Sequence, residues 1–404
     1  MKIHRNIALG VVEGLRQILE KKQALRPSLS QLLKQNRRWG SRDRRQLGEA
    51  VLDCIRWKRT YAYLGNLDSQ SEYFFWELLG IWMLTKEMIL PEWEELSSIK
   101  ELKISIPLNL ETTDRKIRTS LPDWLDVLGI ENYGETIWEK ESQSFNTPAA
   151  LVLRNNTLKQ DSVSLKKQLE KDFTIKSTEV ADIPQALVLD KHYKLNQNPL
   201  YLNGAFEIQD ANSQRVAHWV NPQSNHLIVD ACAGSGGKSL HMAAMMQNQG
   251  RIFALDPHPI KLDQLKIRAK RNGISNIQTL DTHTPDFFNQ QQGTADVVLI
   301  DAPCSGLGVL RRNPAAKWHM NPEKIKKVEL LQRDILQKNA PLVKKGGALV
   351  YATCSIFPNE NQHQIKHFLE TDLGSEFELI KEETYLTHQT GFDGFYLARL
   401  EKKE

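Results

Sequence analysis

The stretch HLIVDACAGSGGKSLHMAAMM, residues 226–246, decides the fold. An apolar run from Leu227 to Val229 stops at Asp230, a glycine-rich turn follows, and apolar residues then recur from Leu240 to Met246. That pattern reads as strand, loop, helix. RIFALDPHPIKLDQLKIRAKRNGI (residues 251–274) repeats it as strand, acidic turn and helix, with Gly273 placed as a C-cap. ADVVLIDAPCSG (residues 295–306) and GGALVYATCS (residues 346–355) add two more strands. Alternation of this kind predicts a mostly parallel sheet with helices on both faces, a Rossmann-like α/β domain over residues 226–404. Ligands in such sheets bind outside the carboxyl ends of the strands. The chemically unusual residues of this segment all fall at those ends.

The loop DACAGSGGKS, residues 230–239, has three readings. A phosphate-binding P-loop needs a glycine where Cys232 stands. A dinucleotide fingerprint begins at Gly234 and Gly236 but meets Ser239 where its third glycine belongs. The third reading is an S-adenosylmethionine loop, in which no pyrophosphate needs cradling. Asp256, at the next strand's end, is then placed for the ribose hydroxyls, and Asp281, after IQTL, for the adenine edge. Each acid taken alone is equally well a turn or N-cap residue.

Two strands end in cysteines: Asp301, Pro303 and Cys304 in one, Cys354 in the other. A single buried cysteine is ordinarily a small packed hydrophobe. Two of them beside a cofactor loop suggest covalent chemistry. A pyrimidine ring carbon is too poor a nucleophile to take a methyl group directly. A thiolate added to carbon 6 makes carbon 5 enamine-like, which splits one hard step into easier ones. Chemistry alone leaves open which cysteine attacks.

The other residues frame this site. Four cysteines without regular spacing argue against a disulfide framework or a zinc site, so no metal is expected and the compartment is reducing. No run of 18 apolar residues and no secretory leader are found, so no membrane partner is expected and the cytoplasm is the expected location. The net charge of +4 hides an asymmetry. Residues 1–60 hold 15 Lys or Arg against 5 Asp or Glu, a net of +10, leaving −6 for the remainder. NRRWGSRDRR (residues 36–45) and RWKR (residues 56–59), interleaved with Trp39 and Trp57, read as an electrostatic footprint for nucleic acid. Residues 1–125 have helical periodicity, with YFFWELLGIWMLTKEMIL (residues 73–90) apolar on most faces, Cys54 in the core and Pro107 in a loop. Residues 126–225 read as a small α+β module, with strands in AALVLR (149–154) and ALVL (186–189) flanking an amphipathic helix.

Four stretches carry a family resemblance: DACAGSGGK (230–238), LIDAPCSGLGVLRRNPAAKW (299–318), YATCSIFPNEN (351–361) and DGFYLARL (393–400). They resemble the motifs of the RNA cytosine-5 methyltransferases, with the nearest general likeness to the bacterial 16S rRNA methyltransferase B group. LRNNTLK (153–159) and GAFEIQDANSQ (204–214) are similar to the small module preceding that family's catalytic domain. RWGSRDRRQLGEAVLDCIRWKR (38–59) resembles its NusB-like RNA-binding domain. The family's loop usually reads C-A-A-P-G-G-K, and Gly234 and Ser235 depart from it.

The resemblance implies a monomeric enzyme methylating carbon 5 of a cytosine in RNA, with rRNA favoured over tRNA by the NusB-like start. A non-catalytic RNA-binding assembly factor on the same scaffold is the alternative of another class. It also implies roles. Cys354 is the nucleophile, Cys304 helps product release, and Asp301 lies between cofactor and base. S-adenosylmethionine is held by Cys232, Ala233, Gly234, Ser235, Gly236, Gly237 and Lys238 with Asp256, Asp281 and Asp301.

Overall fold

A computed structural model describes residues 3–36, 39–104 and 110–404. Arg37 and Arg38 of the first basic cluster, and Pro107, lie outside the described residues. The chain divides into two units, Met1–Thr147 with Leu310–Pro322, and Pro148–Val309 with Glu323–Glu404.

The first unit is helical, built mainly from Arg5–Leu15, Leu25–Gln35, Ser41–Arg56, Lys58–Gly65, Phe74–Thr85 and Asp123–Ser144. Phe74–Thr85 is apolar on most faces because it is surrounded; Leu78, Leu79, Ile81, Trp82 and Met83 are all buried. A Cβ at Gly10 would come within 2.8 Å of the Leu47 and Trp39 side chains, so its absence lets Arg5–Leu15 seat against both.

Trp39 is 6% exposed in this core, and Trp57 packs half-buried against it, which corrects their reading as surface aromatics. The second basic cluster is absorbed in the same way. Arg56 donates to the carbonyls of Phe145 (3.1 Å) and Arg311 (2.9 Å), and Arg59 to that of Leu121 (2.9 Å) while pairing with Asp123 (2.9 Å). The Phe145 carbonyl ends the Asp123–Ser144 helix without an intrahelical donor, and the long Arg56 side chain supplies one. Arg42 and Arg45 of the first cluster remain exposed.

This unit extends past residue 125, because the Asp123–Ser144 helix is tied back to it through Arg115 and Asp126 (2.8 Å). It also takes in residues 310–322, which the sequence pattern groups with 226–404. Lys317 Nζ donates to the Arg56 carbonyl (2.8 Å) and Trp318 Nε1 to that of Ile55 (2.7 Å). Those are the last carbonyls of Ser41–Arg56, and the inserted segment caps them.

The second unit opens with a four-stranded antiparallel sheet: β1 Val152–Asn155, β2 Ser177–Val180, β3 Ile183–Leu189 and β4 Phe206–Ile208, in the order β2-β3-β1-β4. The Ser162–Phe173 helix buries Leu165 and Leu169 in the same cluster as Leu187 and Phe206, and Asp161 caps it through the Ser164 N–H.

Seven strands follow: β5 Leu227–Asp230, β6 Arg251–Leu255, β7 Ile277–Leu280, β8 Ala295–Asp301, β9 Val343–Thr353, β10 Phe377–Tyr385 and β11 Phe395–Lys402. Their order is β10-β11-β9-β8-β5-β6-β7. β5 to β9 are parallel, and β11 pairs antiparallel with both β9 and β10. The mostly parallel sheet is therefore as the alternating pattern predicts. The chain steps outward from β5 to β7 and returns to the other side of β5 at β8, which makes the β5/β8 boundary the switch point where open α/β sheets bind ligands. No helix among the described residues is long and apolar enough to cross a membrane.

Candidate active site

The loop after β5 turns on two glycines with positive φ, Gly234 (55°) and Gly236 (87°). A Cβ at Gly236 would stand 2.5 Å from Leu265, so the close approach of the Pro259–Asn272 helix requires glycine there. The buried Asp256 holds the loop from outside. One carboxylate oxygen accepts the Gly234 N–H (3.0 Å) and the other the His258 N–H (2.9 Å). Arg268 donates to the Ser235 carbonyl (2.7 Å) and pairs with Glu207 (3.0 Å). The β1 residue Arg154 donates to the Gly237 carbonyl and to Gln209 (2.5 Å), which couples the small sheet to the loop.

Cys232, Gly234, Asp256 and Asp301 line a cavity of about 510 Å³, together with Pro303, His258, His283 and Phe288. Leu331, Ile335 and Lys338 of the Pro322–Asn339 helix complete its wall. The space at a Gly234 Cβ is open. Ala233, Ser235, Gly236 and Gly237 shape the loop without lining the cavity, and so does Asp281, whose carboxylate accepts from the N–H (2.8 Å) and ring (2.9 Å) of His283. Burial raises the Cys232 thiol well above its ordinary value, as suits a packed wall residue. Burial likewise pushes the Asp230 carboxyl up to about 7, against the Ser239 hydroxyl that donates to it (2.6 Å).

At the end of β8, Asp301 meets Lys238 Nζ at 2.5 Å. Burial alone would lower the lysine, but the charge and hydrogen bond of Asp301 outweigh it and the net shift is upward. Beyond Asp301 the chain brings Cys304 to 3.1 Å from the sulfur of Cys354, at the end of neighbouring β9. The hydrogen bond with Cys354, then burial, hold the Cys304 thiol well above its usual range, and the Glu360 charge adds to this. Gly308 donates its N–H to the Cys354 carbonyl (2.9 Å) and accepts from Gly394 (2.7 Å). A Cβ at Gly308 would lie 2.2 Å from the Gly394 oxygen, so this three-way crossing requires a bare backbone.

The model of the 16S rRNA methyltransferase RsmB/F family matches residues 217–401, and that of the RsmF/B-like ferredoxin-like domain matches residues 121–196. The probable ribosomal RNA small subunit methyltransferase B of Synechocystis sp. is 37% identical over 299 residues, 70% of this chain and 67% of that protein. Ribosomal RNA small subunit methyltransferase B of Shewanella oneidensis is 32% identical over 305 residues, 73% of this chain and 70% of that protein. The chain belongs to the RsmB/F family. It is thus an RNA methyltransferase, and it spans about two thirds of the length of these relatives. Among crystal structures, PH0851 shares its fold at a TM-score of 0.80 with 24% identity, covering 100% of both chains. NSun6 from Pyrococcus horikoshii with SFG follows at 0.63 with 20% identity, over 70% of this chain and 98% of that one.

Motif positions alone reach Cys304, Cys354, Lys238 and Asp301. They miss Arg154 and Glu360, and the wall from Pro322–Asn339. Arg154 stands inside LRNNTLK, but its partner Gly237 is 83 residues away. Leu331 and Ile335 follow ordinary helical spacing that carries no ligand signal.

Proposed function

We propose that the protein transfers the methyl group of S-adenosylmethionine to carbon 5 of a cytosine in 16S rRNA, through a covalent adduct on Cys354. The observation that carries this is the 3.1 Å thiol pair at the ends of adjacent parallel strands, beside the cavity at the switch point. Relatives bearing small subunit rRNA methyltransferase names support the choice of RNA.

The cavity suits the cofactor. Its volume is in the range of small-molecule sites, and Gly234 leaves room for close approach. Oδ1 of Asp256 keeps a lone pair beyond the His258 N–H it accepts, while Oδ2, which accepts the Gly234 N–H, also pairs with Lys261 at 3.6 Å. Asp256 would take the ribose hydroxyls, and Asp281, whose neighbours Thr282 and His283 line the cavity, the adenine end. Bound there, S-adenosylmethionine supplies an electrophilic methyl group. Either sulfur of the pair can donate to the other. In this reading Cys354 gives its proton to solvent and its sulfur attacks carbon 6, while Cys304, pushed towards the thiol form by the shared hydrogen bond and by burial, stays protonated. Asp301, paired with Lys238, would lie between base and cofactor. Once Cys354 is bonded to carbon, the hydrogen bond that does most to raise Cys304 is gone. Cys304 then loses its proton to solvent more readily and can take the carbon-5 proton, and the carbon–sulfur bond breaks by elimination.

The test is incubation with methyl-labelled cofactor and either a 16S rRNA or a tRNA transcript, followed by nucleoside analysis. Labelled 5-methylcytidine in the rRNA is expected. Label on an exocyclic nitrogen would overturn the chemistry, and label confined to tRNA would overturn the target.

A further inference from the structure

Glu360 lies in the short turn Pro358–Glu360 beyond Cys354 and is completely buried. Among the described residues, the donors that reach its carboxylate are all neutral. One oxygen accepts the Ser305 N–H at 2.7 Å and Gln332 Nε2 at 3.4 Å; the other accepts the hydroxyls of Ser305 at 2.5 Å and Ser355 at 2.6 Å. Burying a carboxylate among neutral donors is costly, and a well-packed apolar side chain would often serve stability better. The carboxylate is explained by what it fixes. Ser305 follows Cys304 directly, and Ser355 follows Cys354.

The surroundings leave the clamp little play. Tyr351, within β9, donates its hydroxyl to the Glu360 carbonyl (2.8 Å), anchoring the turn to the strand that delivers Cys354. Asn361 accepts from Thr353 (2.5 Å) and donates to the Ser355 carbonyl (3.0 Å), which brackets Cys354 from both sides. Gln332 also donates to the Pro303 carbonyl (3.0 Å), just before Cys304. None of the groups on Glu360 lines the cofactor cavity.

We propose that Glu360 is the positioning residue of the thiol pair, setting the separation of the two sulfurs by holding the residue after each cysteine. Its consequence for catalysis rests on the reading that these thiols carry methyl transfer; the geometric claim does not. The charge it brings near Cys304 acts in the same direction, favouring the protonated thiol before attack.

The experiment measures the spacing and the chemistry separately on the full chain. Dibromobimane becomes fluorescent when it bridges two nearby thiols, and the Cys304→Ala variant supplies the blank. In Glu360→Ala, bridging should slow severalfold, cofactor affinity by calorimetry should hold, and single-turnover methyl transfer should fall about a hundredfold, the scale of an ångström-sized misplacement. Glu360→Gln, which keeps shape but not charge, should recover most of the bridging rate while moving the pH profile of methyl transfer to lower pH. Wild-type bridging and methyl transfer in Glu360→Ala would overturn the proposal. Slowed bridging in a protein whose wild type never methylates RNA would leave the clamp standing and sink the functional reading instead. Should Glu360→Ala not fold, Ser305→Ala and Ser355→Ala each remove one hydroxyl bond. Both should slow bridging and transfer, and wild-type values in both would equally overturn the clamp.

Discussion

Lys317 in the helical unit is buried, Lys238 at the carboxyl ends of the central strands β5 and β8 is partly buried, and their ionisation is pushed in opposite directions. Lys317 is 1% exposed, and its Nζ donates to the Arg56 carbonyl beside the Trp318 ring. Burial, then the charge of Arg56, lower its pKa well below the ordinary value. Lys238 has the Asp301 carboxylate at 2.5 Å and is raised. The difference lies in the partner, since a carbonyl dipole does not repay the desolvation of a charge and a carboxylate does. A lysine withdrawn from water is thus a cap and filler in one region and a held charge in the other.

Substitutions at the two sites should separate these roles. Lys238→Met leaves Asp301 without its cation and should cut single-turnover methyl transfer by about 10²–10³-fold, the scale for removing a preorganised charged group. Retention of full activity would remove Lys238 from the site. Next in size is Asp256→Ala, which should weaken S-adenosylmethionine binding by about 2–3 kcal/mol, as for lost hydrogen bonds to a charged group. Calorimetry finding unchanged affinity would place the ribose elsewhere.

Lys317→Met should change stability by no more than about 1 kcal/mol near neutrality, because the lost hydrogen bond is offset by relief of the ionisation penalty. The pH dependence carries the sign. With the folded pKa below the unfolded one, the unfolded chain binds the extra proton, so the wild type's stability rises with pH towards the unfolded lysine value. Thermal melts should therefore show the wild type gaining on Lys317→Met between neutral and alkaline pH; parallel curves would mean that Lys317 is charged when folded. The smallest effect is expected on the helical unit's surface. The double variant Arg42→Ala, Arg45→Ala should lower the salt slope of RNA binding by about 1 for each phosphate no longer neutralised, and leave cofactor affinity alone. An unchanged slope would remove this face from the RNA footprint.

The catalytic sheet is legible in the sequence because strand, loop and helix alternate with a clear change of period, and because Asp256, Asp301, Cys304 and Cys354 end their strands. Other features depend on residues distant in sequence. Trp39 and Trp57 sit among arginines in the sequence yet pack into the core, and local composition does not tell an aromatic on a basic face from one turned inward. Residues 310–322 carry no signal that they cap the helix ending at Arg56, since Lys317 and Arg56 belong to separate segments of the chain. Glu360 stands inside the YATCSIFPNEN motif, but its meaning depends on Ser305, 55 residues earlier. The cavity wall from Leu331 and Ile335 looks like any amphipathic helix. What sequence conveys well is the order of elements and the residues at their ends; what it hides is which buried polar groups find each other.

The division of labour between the two thiols is tested most directly on a denaturing gel of protein incubated with target RNA and S-adenosylmethionine. Cys354→Ala should be inactive and give no protein–RNA band. Cys304→Ala should transfer the methyl group once and accumulate a complex that survives denaturation, because the adduct can form and cannot be released. The reverse pattern would exchange the roles of the two cysteines, and no band from either variant would contradict the covalent mechanism itself.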